Sequence, residues 1–519
     1  MLKIFFACVS VLVISAGAFA QDGTDQPSVA QRYADLISED SVRAYLSVLA
    51  ADSLEGRATG KPGQKKAARF LESKLKSFGV EELPGHSGYF QPFALHAFDF
   101  KQVKATVGGK EWKVVDDFFT TSTLNDTTIR ADEVVFLGYG ISTDLYDNYG
   151  DEDYTGKIGV IYDGQPNVGG KYLANGETYP SGIDLQRKLR LAREKGLEAV
   201  LVVRYGYSSN IPRYRRFFRG DRLYLERPFD DVFTHFYISQ EALKTIFSER
   251  DIAAAEEAMK KGEDRFELRA EIPVEFEFSA DRGTVITENV VGYIEGSTIP
   301  DEYVFITAHY DHIGVIDGKI NYGADDNGSG TAMVLELARV FAEAKKEGKQ
   351  PDRSVVFLFF TAEEIGLLGS EFYTDNPIVP LENTVTDLNI DMIGRTDEIY
   401  MDKQDDTPYI YLIGADRISQ RLHDISEEVN DRYTQLKLDY KYNDPGDPQR
   451  LYYRSDHYNF ARYGIPSIFY FRGLHPDYHK PTDTMDKVEF DTIVHVGKLV
   501  FHTAWAVSDM EGSLLPEED

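Results

Sequence analysis

The spacing of apolar residues along the first hundred positions predicts two amphipathic helices. The first carries Val42, Tyr45, Leu46 and Leu49 on one face. We expect Ser41 to cap this helix, and Gly79 to end a second helix that begins near residue 67. A glycine-rich turn, LEGRATGKPG at 54–63, lies between them.

From residue 98 to 280 the pattern changes to short apolar runs. The stretches at 134–137, 158–162 and 199–203 are typical of strands, and one amphipathic helix is expected at 185–194. This pattern of short apolar runs predicts a separate, small β-rich domain that is inserted into the chain.

From residue 281 to 519 the pattern alternates between strand and helix. Strands are predicted at 304–308, 355–361, 388–392 and 467–471, and helices at 330–344, 418–429 and 490–507. The run at 355–361 is almost wholly apolar, as expected of a strand that is covered on both faces. The pattern predicts an α/β fold with a mixed, largely parallel central sheet flanked by helices. We expect residues 21–97 to form the helical beginning of this same domain.

The first twenty residues have the features of a secretory signal peptide. Lys3 precedes an apolar run at 4–14, and a small-x-small cleavage sequence follows at 18–20. We expect the mature protein to begin at Gln21 and to be exported to a periplasm or out of the cell. The single cysteine, Cys8, lies in this segment, so the sequence excludes a disulfide framework and cysteine-bound zinc in the mature protein.

The balance of charges is strongly acidic. The chain has 56 Lys and Arg residues against 86 Asp and Glu residues, which gives a net charge of −30. Such a surface repels phosphate groups, so nucleic acid is not an expected partner. We therefore interpret the arginine-rich loop at 213–222 as a solvated or interdomain loop. No later segment has the length and apolarity expected of a membrane span.

Histidine and acidic residues follow the predicted strands of the second half, at their carboxyl ends. They occur in the segments AHYDHIG at 308–314, GADDNGSG at 323–330, EEIGLLGS at 363–370, NIDMIG at 389–394, SDHYNFARYGIPS at 455–467 and HPDYHKPTDT at 475–484. Open α/β sheets place their sites at this edge, so we expect these side chains to converge.

A convergent set of His, Asp and Glu side chains suits zinc, with cobalt or manganese as substitutes. The carboxylates are too many for one structural ion. They suit two ions about 3.5–4 Å apart that share a bridging carboxylate. Of the adjacent Glu363 and Glu364, one can bind metal while the other stays free as a general base for hydrolysis.

These segments, in this order and spacing, resemble the co-catalytic di-zinc aminopeptidases. That family, number twenty-eight of the metallopeptidases, includes secreted bacterial leucyl aminopeptidases and the glutamate carboxypeptidases. The resemblance covers about residues 284–510 and implies the zinc-exopeptidase fold. The inserted region is more loosely similar to the protease-associated domain that many members carry.

The resemblance implies a metal-binding role for five residues. His309 and Asp391 would bind one zinc ion, and Glu364 and His479 would bind the other. Asp326 would bridge the two ions, and the peptide bond that follows it is expected to be cis.

The resemblance also implies roles for residues around the ions. Glu363 would be the general base, and Tyr452 would steady the oxyanion. Asp311 would orient His309 through its second ring nitrogen, while Asp325 and Asp456 would lie behind the ligands. His312 and His457 would likewise serve in packing or behind the ligands.

The implied activity is that of a secreted zinc-dependent aminopeptidase, acting on peptides with a free N-terminus. One alternative is a carboxypeptidase or dipeptidase of the same fold, in which Arg395, Arg454 or an arginine of the 213–222 loop holds the substrate carboxylate. A glutaminyl cyclase with one zinc ion and a metal-free binding protein are alternatives of other classes. The complete set of ligands argues against both.

Overall fold

The computed structural model describes residues 28–120, 126–211, 222–225, 233–401 and 407–515. The predicted signal peptide, the start of the mature chain at Gln21 and most of the arginine-rich loop lie outside these residues.

The described chain begins with three helices, of which the first two pack mainly on other helices and the third also packs on a strand of the main sheet. They span Val29–Ala34, Glu39–Leu49 and Pro62–Phe78. The cap of the second helix is Ser38, whose hydroxyl accepts the N–H of Ser41 at 3.4 Å, so the predicted cap at Ser41 is wrong by three positions. Gly79, with φ of +83°, ends the third helix as predicted.

The main sheet is mixed and largely parallel, which confirms the predicted fold class. Its strands follow the order Lys437–Asp439, Tyr409–Ile413, Ser467–Phe471, Thr384–Ile390, Ile299–His309, Arg353–Phe360 and Arg269–Ile294. The four strands from Ser467–Phe471 to Arg353–Phe360 are parallel. The neighbours on either side, Tyr409–Ile413 and Arg269–Ile294, run antiparallel to them.

Helices surround this sheet. The longer ones are Gly330–Lys346, Leu368–Asp375, Gln420–Val429 and Phe490–Asp509, with short helices at Glu398–Met401, Ala415–Ile418 and His457–Ala461. All eight residues of the strand Arg353–Phe360 are buried, which explains why its last six are all apolar.

The inserted region is joined to the main domain by two long strands. Phe90–Val107 and Arg269–Ile294 pair antiparallel over nearly the whole length of the former. Within the region, Thr127–Phe136, Ile158–Tyr162, Ala199–Val203 and His235–Ile238 are parallel neighbours. Shorter strands lie at Lys110–Trp112, Phe118–Phe119, Asn167–Val168, Lys171–Tyr172 and Arg222–Tyr224, and helices at Leu185–Glu194, Gln240–Leu243 and Glu249–Lys260. The region therefore contains more helices and more parallel strands than the predicted β-rich domain.

In the described ranges, no helix has both the length and the apolar character needed to cross a membrane.

Candidate metal centre

Three parallel strands deliver the predicted site residues to one edge of the sheet. His309 is the last residue of Ile299–His309, and Asp391 directly follows Thr384–Ile390. Glu363 and Glu364 come three and four residues after Arg353–Phe360. Because parallel neighbouring strands end at the same edge, residues far apart in the chain meet there.

One group of side chains converges on His309. Its Nε2 lies 3.3 Å from Asp391 Oδ1, 3.5 Å from Asp326 Oδ1 and 3.8 Å from Glu363 Oε2. The imidazole is buried, with 1% of its surface exposed. This geometry offers one nitrogen and several carboxylate oxygens to a single point.

A second group converges on Glu364. His479 Nε2 lies 3.0 Å from Glu364 Oε2 and 3.1 Å from Asp326 Oδ2. His312 Nδ1 lies 2.6 Å from Glu364 Oε1 and 3.8 Å from Asp326 Oδ2. The two oxygens of Asp326 thus face different groups, and the Asp326–Asn327 peptide bond is cis.

The donor atoms fit divalent cations. His309 Nε2, Asp326 Oδ2 and Asp391 Oδ1 are buried without a hydrogen-bond partner among the described residues. Burying such groups unpaired is costly, and a bound cation removes the cost. The triads His309–Glu363–Asp391 and His312–Asp326–Glu364 each bring their ligand atoms within 4.8 Å of one another.

The crowding of charges perturbs these groups. Burial opposes protonation of His479, yet the carboxylates of Asp326 and Glu364, at 3.1 and 3.0 Å, raise its pKa to about 10. Burial raises the pKa of Glu363 well above its usual value, and the charges of Glu364 and Asp391 add to this effect. A carboxylate with a raised pKa inside such a cluster has the properties of a proton-transfer group.

Asp311 contacts the site differently from the expectation. Its backbone oxygen, at 3.2 Å, is the atom nearest to His309 Nδ1, and its carboxylate is 3.7 Å away. The carboxylate instead accepts the hydroxyl of Thr59 at 2.8 Å and the N–H of Glu363 at 3.2 Å. Asp311 therefore orients His309 through its main chain and anchors Glu363 through its side chain.

Comparison with known proteins shows what this cluster is similar to. The family model described as peptidase family M28 matches residues 289–504, the segment that contains the whole cluster. This segment, called the peptidase domain below, is therefore similar to members of that family. Aminopeptidase YwaD from Bacillus subtilis (strain 168) is 29% identical over 228 residues, a match that covers 41% of this chain. The match spans 43% of that protein, so the chain covers less than half the length of this curated relative.

Solved structures share the fold over most of the chain. An aminopeptidase from Aneurinibacillus sp. strain AM-1 superposes with a TM-score of 0.58 and 22% identity, covering 94% of this chain and 98% of its own. BSAP, a zinc aminopeptidase from Bacillus subtilis, superposes with a TM-score of 0.50 and 19% identity, covering 92% and 96%. The fold thus extends beyond the matched peptidase domain into the inserted region.

Two tyrosines of the peptidase domain differ in their contacts with the cluster. Tyr452 is buried with its ring 3.9 Å from the Arg417 guanidinium and 5.3 Å from the His457 ring. The ring of Tyr478 stacks directly on His479, with centroids 3.9 Å apart. The phenol in stacking contact with a predicted ligand is therefore that of Tyr478.

The remaining predicted acids lie behind the cluster. Asp325 accepts the Ser329 hydroxyl at 2.8 Å and the Gly394 N–H at 2.6 Å, and its other oxygen lies 3.4 Å from His475 Nε2. Asp456 is fully buried, and burial raises its pKa to about 7.

Sequence reasoning gave no role to Thr59, His475 or Asp483. Asp483 accepts the N–H groups of Asp325 and Asp326 and so holds the loop that carries the shared carboxylate. The sequence pattern singled out the segments that contain these residues, namely the glycine-rich turn at 54–63 and the segment at 475–484. It did not predict their contacts.

Thr59 offers a test of how Glu363 is positioned. Replacing Thr59 with Val should lower peptidase turnover about 10-fold, because a hydrogen bond to a charged group contributes about 1.5–3 kcal/mol. The loss should appear in kcat, with metal content unchanged, in assays of the purified variant. Thr59→Ser, which keeps the hydroxyl, is the matched control and should stay within about 3-fold of wild type. Equal losses in both variants would contradict this positioning role.

Proposed function

We propose that the chain is a zinc-dependent aminopeptidase that releases N-terminal residues from peptides. The observation that carries the proposal is the position of Glu363. Its carboxylate lies 3.8 Å from His309 Nε2 and next to Glu364, at the edge of two groups of metal-ligating atoms in a peptidase domain.

The contacts in the cluster support the following ligand sets. His309 and Asp391 would hold one zinc ion, Glu364 and His479 a second, and Asp326 would contact both. Cobalt or manganese would substitute in the same oxygen and nitrogen environment. His312, in contact with Glu364, would orient that carboxylate.

Glu363 supplies the proton transfers of the proposed reaction. When bound, zinc supplies Lewis-acid activation of the substrate carbonyl and of water. Glu363 accepts a proton from the attacking water and then donates it to the nitrogen that leaves, while the C–N bond breaks. The Thr59–Asp311 contact holds the backbone of Glu363 during both transfers.

The acidic character of the site favours a free amine. The carboxylates of the cluster are those of Asp326, Glu363, Glu364 and Asp391, and their side chains are between 4% and 12% exposed. A substrate ammonium group gains attraction from these carboxylates. Peptides with free N-termini are therefore the proposed substrates.

Two further assignments belong to the proposal. The N-terminal twenty residues would direct export, and the enzyme would work in a periplasm or outside the cell. The region at 98–280 would be an inserted protease-associated domain.

A combined assay of metal and activity tests the proposal. The purified full-length protein is assayed for zinc and offered aminoacyl-p-nitroanilides, unblocked dipeptides and N-blocked peptides. We expect about two zinc ions per chain, cleavage only of substrates with a free amine, and loss of activity on chelation that added zinc restores.

Other outcomes point elsewhere. Cleavage only of N-blocked peptides with a free C-terminus would contradict the aminopeptidase assignment and favour a carboxypeptidase. A protein that binds no metal and cleaves none of these substrates would contradict an enzymatic role altogether.

A further inference from the structure

One arginine lies on the exposed side of the acidic cluster. Arg454 is exposed, and its Nη2 donates to the phenol oxygen of Tyr478 at 3.3 Å. The Tyr478 ring in turn stacks on the imidazole of His479, with centroids 3.9 Å and planes 24° apart. One phenol ring therefore separates the guanidinium from a proposed zinc ligand.

The backbone position of Arg454 is fixed by the hydrogen bonds of the residue that follows it. Arg454 directly precedes Ser455, whose hydroxyl donates to Asp391 Oδ2 at 2.7 Å. Ser455 is fully buried and also accepts the side-chain amide of Asn389 at 2.8 Å. Because its neighbour is held in this network, Arg454 leaves the backbone at a fixed point beside the cluster.

Neighbouring arginines already have partners. Arg395 pairs with Asp477 at 3.0 Å, and Arg472 pairs with Glu489 at 2.8 Å. Arg417 donates to the backbone oxygen of Asn443 at 2.8 Å and lies over the ring of Tyr452. Arg454, by contrast, has no carboxylate within 4.0 Å in the part of the chain that the structure describes. Its guanidinium therefore has N–H groups available to bind an anion that enters from solvent.

We propose that Arg454 binds a carboxylate of the substrate on the leaving-group side of the cleaved bond. The inference rests on the proposed aminopeptidase function. With the substrate amine held by the buried carboxylates of the cluster, the rest of the peptide extends toward the exposed side. That side is where His479, Tyr478 and Arg454 are found.

The chemistry of arginine defines the preferred substrates. A guanidinium binds a carboxylate through two parallel hydrogen bonds, which few other groups on a peptide can accept. On a protein with a net charge of −30, a substrate carboxylate is otherwise repelled. The preferred substrates are short peptides whose carboxylate, either the C-terminus or an acidic side chain, lies within one or two residues of the cleaved bond.

Matched substrates test this specificity. The N-terminal residue X is the one that the wild-type enzyme cleaves fastest from p-nitroanilides. The full-length enzyme is then given X-Gly, X-Gly amide and X-Asp amide, with X-p-nitroanilide as the substrate without a carboxylate. Wild type should favour X-Gly over X-Gly amide by at least about 10-fold in kcat/KM. A high rate on X-Asp amide as well would identify the side-chain carboxylate as a second source of the recognised group.

The Arg454→Gln variant distinguishes a loss of carboxylate binding from a general loss of enzyme activity. It should lower kcat/KM for X-Gly about 10- to 100-fold, mainly through KM, and change X-p-nitroanilide and X-Gly amide less than about 3-fold. Arg454→Lys should recover part of the preference, since it keeps the charge without the planar fork. Arg432→Gln is the control, because Arg432 is also exposed and lies over a tyrosine, Tyr433, that stacks on His502 away from the cluster.

Three results would overturn the inference, in two distinguishable ways. Equal cleavage of X-Gly and X-Gly amide by wild type, or equal losses on all substrates in Arg454→Gln, would refute carboxylate recognition while leaving the aminopeptidase function intact. A wild-type enzyme that cleaves no substrate with a free amine would refute both proposals.

Discussion

Replacing Glu363 with Gln should lower kcat by about 10²–10⁴-fold, the usual contribution of a general acid–base group. The amide has nearly the same shape but neither accepts a proton from water nor donates one to the leaving nitrogen. Because Glu363 is the proposed base and not a ligand, the zinc content of the variant should match wild type. The measurement combines steady-state kinetics with elemental analysis of the same preparation.

The adjacent residue provides the matched control. Glu364→Gln changes an equal carboxylate, but one that lies 3.0 Å from His479 and 2.6 Å from His312. We expect this variant to lose bound zinc as well as activity, and excess zinc in the assay should restore part of the rate. Near-native turnover in Glu363→Gln, or zinc loss in that variant alone, would show that the roles of the two residues are reversed or misassigned.

The sheet of the peptidase domain could be predicted because its strands are short, buried and punctuated by polar segments. The run at 355–361 coincides with Arg353–Phe360 to within two residues at either end. Local boundaries were harder, since Ser38 and Ser41 both suit a helix cap and only the tertiary position of the chain selects Ser38. In the inserted region, short apolar runs do not distinguish parallel from antiparallel strands, because the difference depends on long-range pairing.

The candidate site also has one part that the sequence predicts and another part that it does not. Ligand types could be read from the sequence most directly at His309, Glu364 and Asp391, because these residues lie at or just after the ends of parallel strands, which end together. The contacts of Asp311 could not be predicted, because its partner Thr59 lies 252 residues earlier and belongs to a turn. Nor does a sequence pattern reveal which of two tyrosines, Tyr452 or Tyr478, stacks on His479, since loop conformation decides this.

Arg57 shows how the N-terminal segment supports the metal centre. It is buried, and its guanidinium donates to four backbone oxygens. The acceptors are Leu49 at 2.5 Å, Tyr310 at 2.8 Å, Tyr322 at 2.8 Å and Gly323 at 2.9 Å. Burial lowers the pKa of Arg57 to about 10, so the group remains charged at neutral pH, with Asp326 and Asp311 favouring the charge. One side chain thus joins the first helices to the loops on both sides of the cluster.

Arg57→Leu should destabilise the peptidase domain by about 3–5 kcal/mol, because several buried carbonyl groups lose their partner at about 1–3 kcal/mol each. The measurement is urea unfolding followed by tryptophan fluorescence. Of the two tryptophans, Trp505 lies in the core of the peptidase domain and Trp112 in that of the inserted region, so a Trp112→Phe background reports on the peptidase domain alone. Arg69→Leu, at an exposed position of the helix Pro62–Phe78, is the control and should change stability by less than about 0.5 kcal/mol. If Arg57→Leu unfolds at the same urea concentration as this control, the buried guanidinium does not hold these segments together.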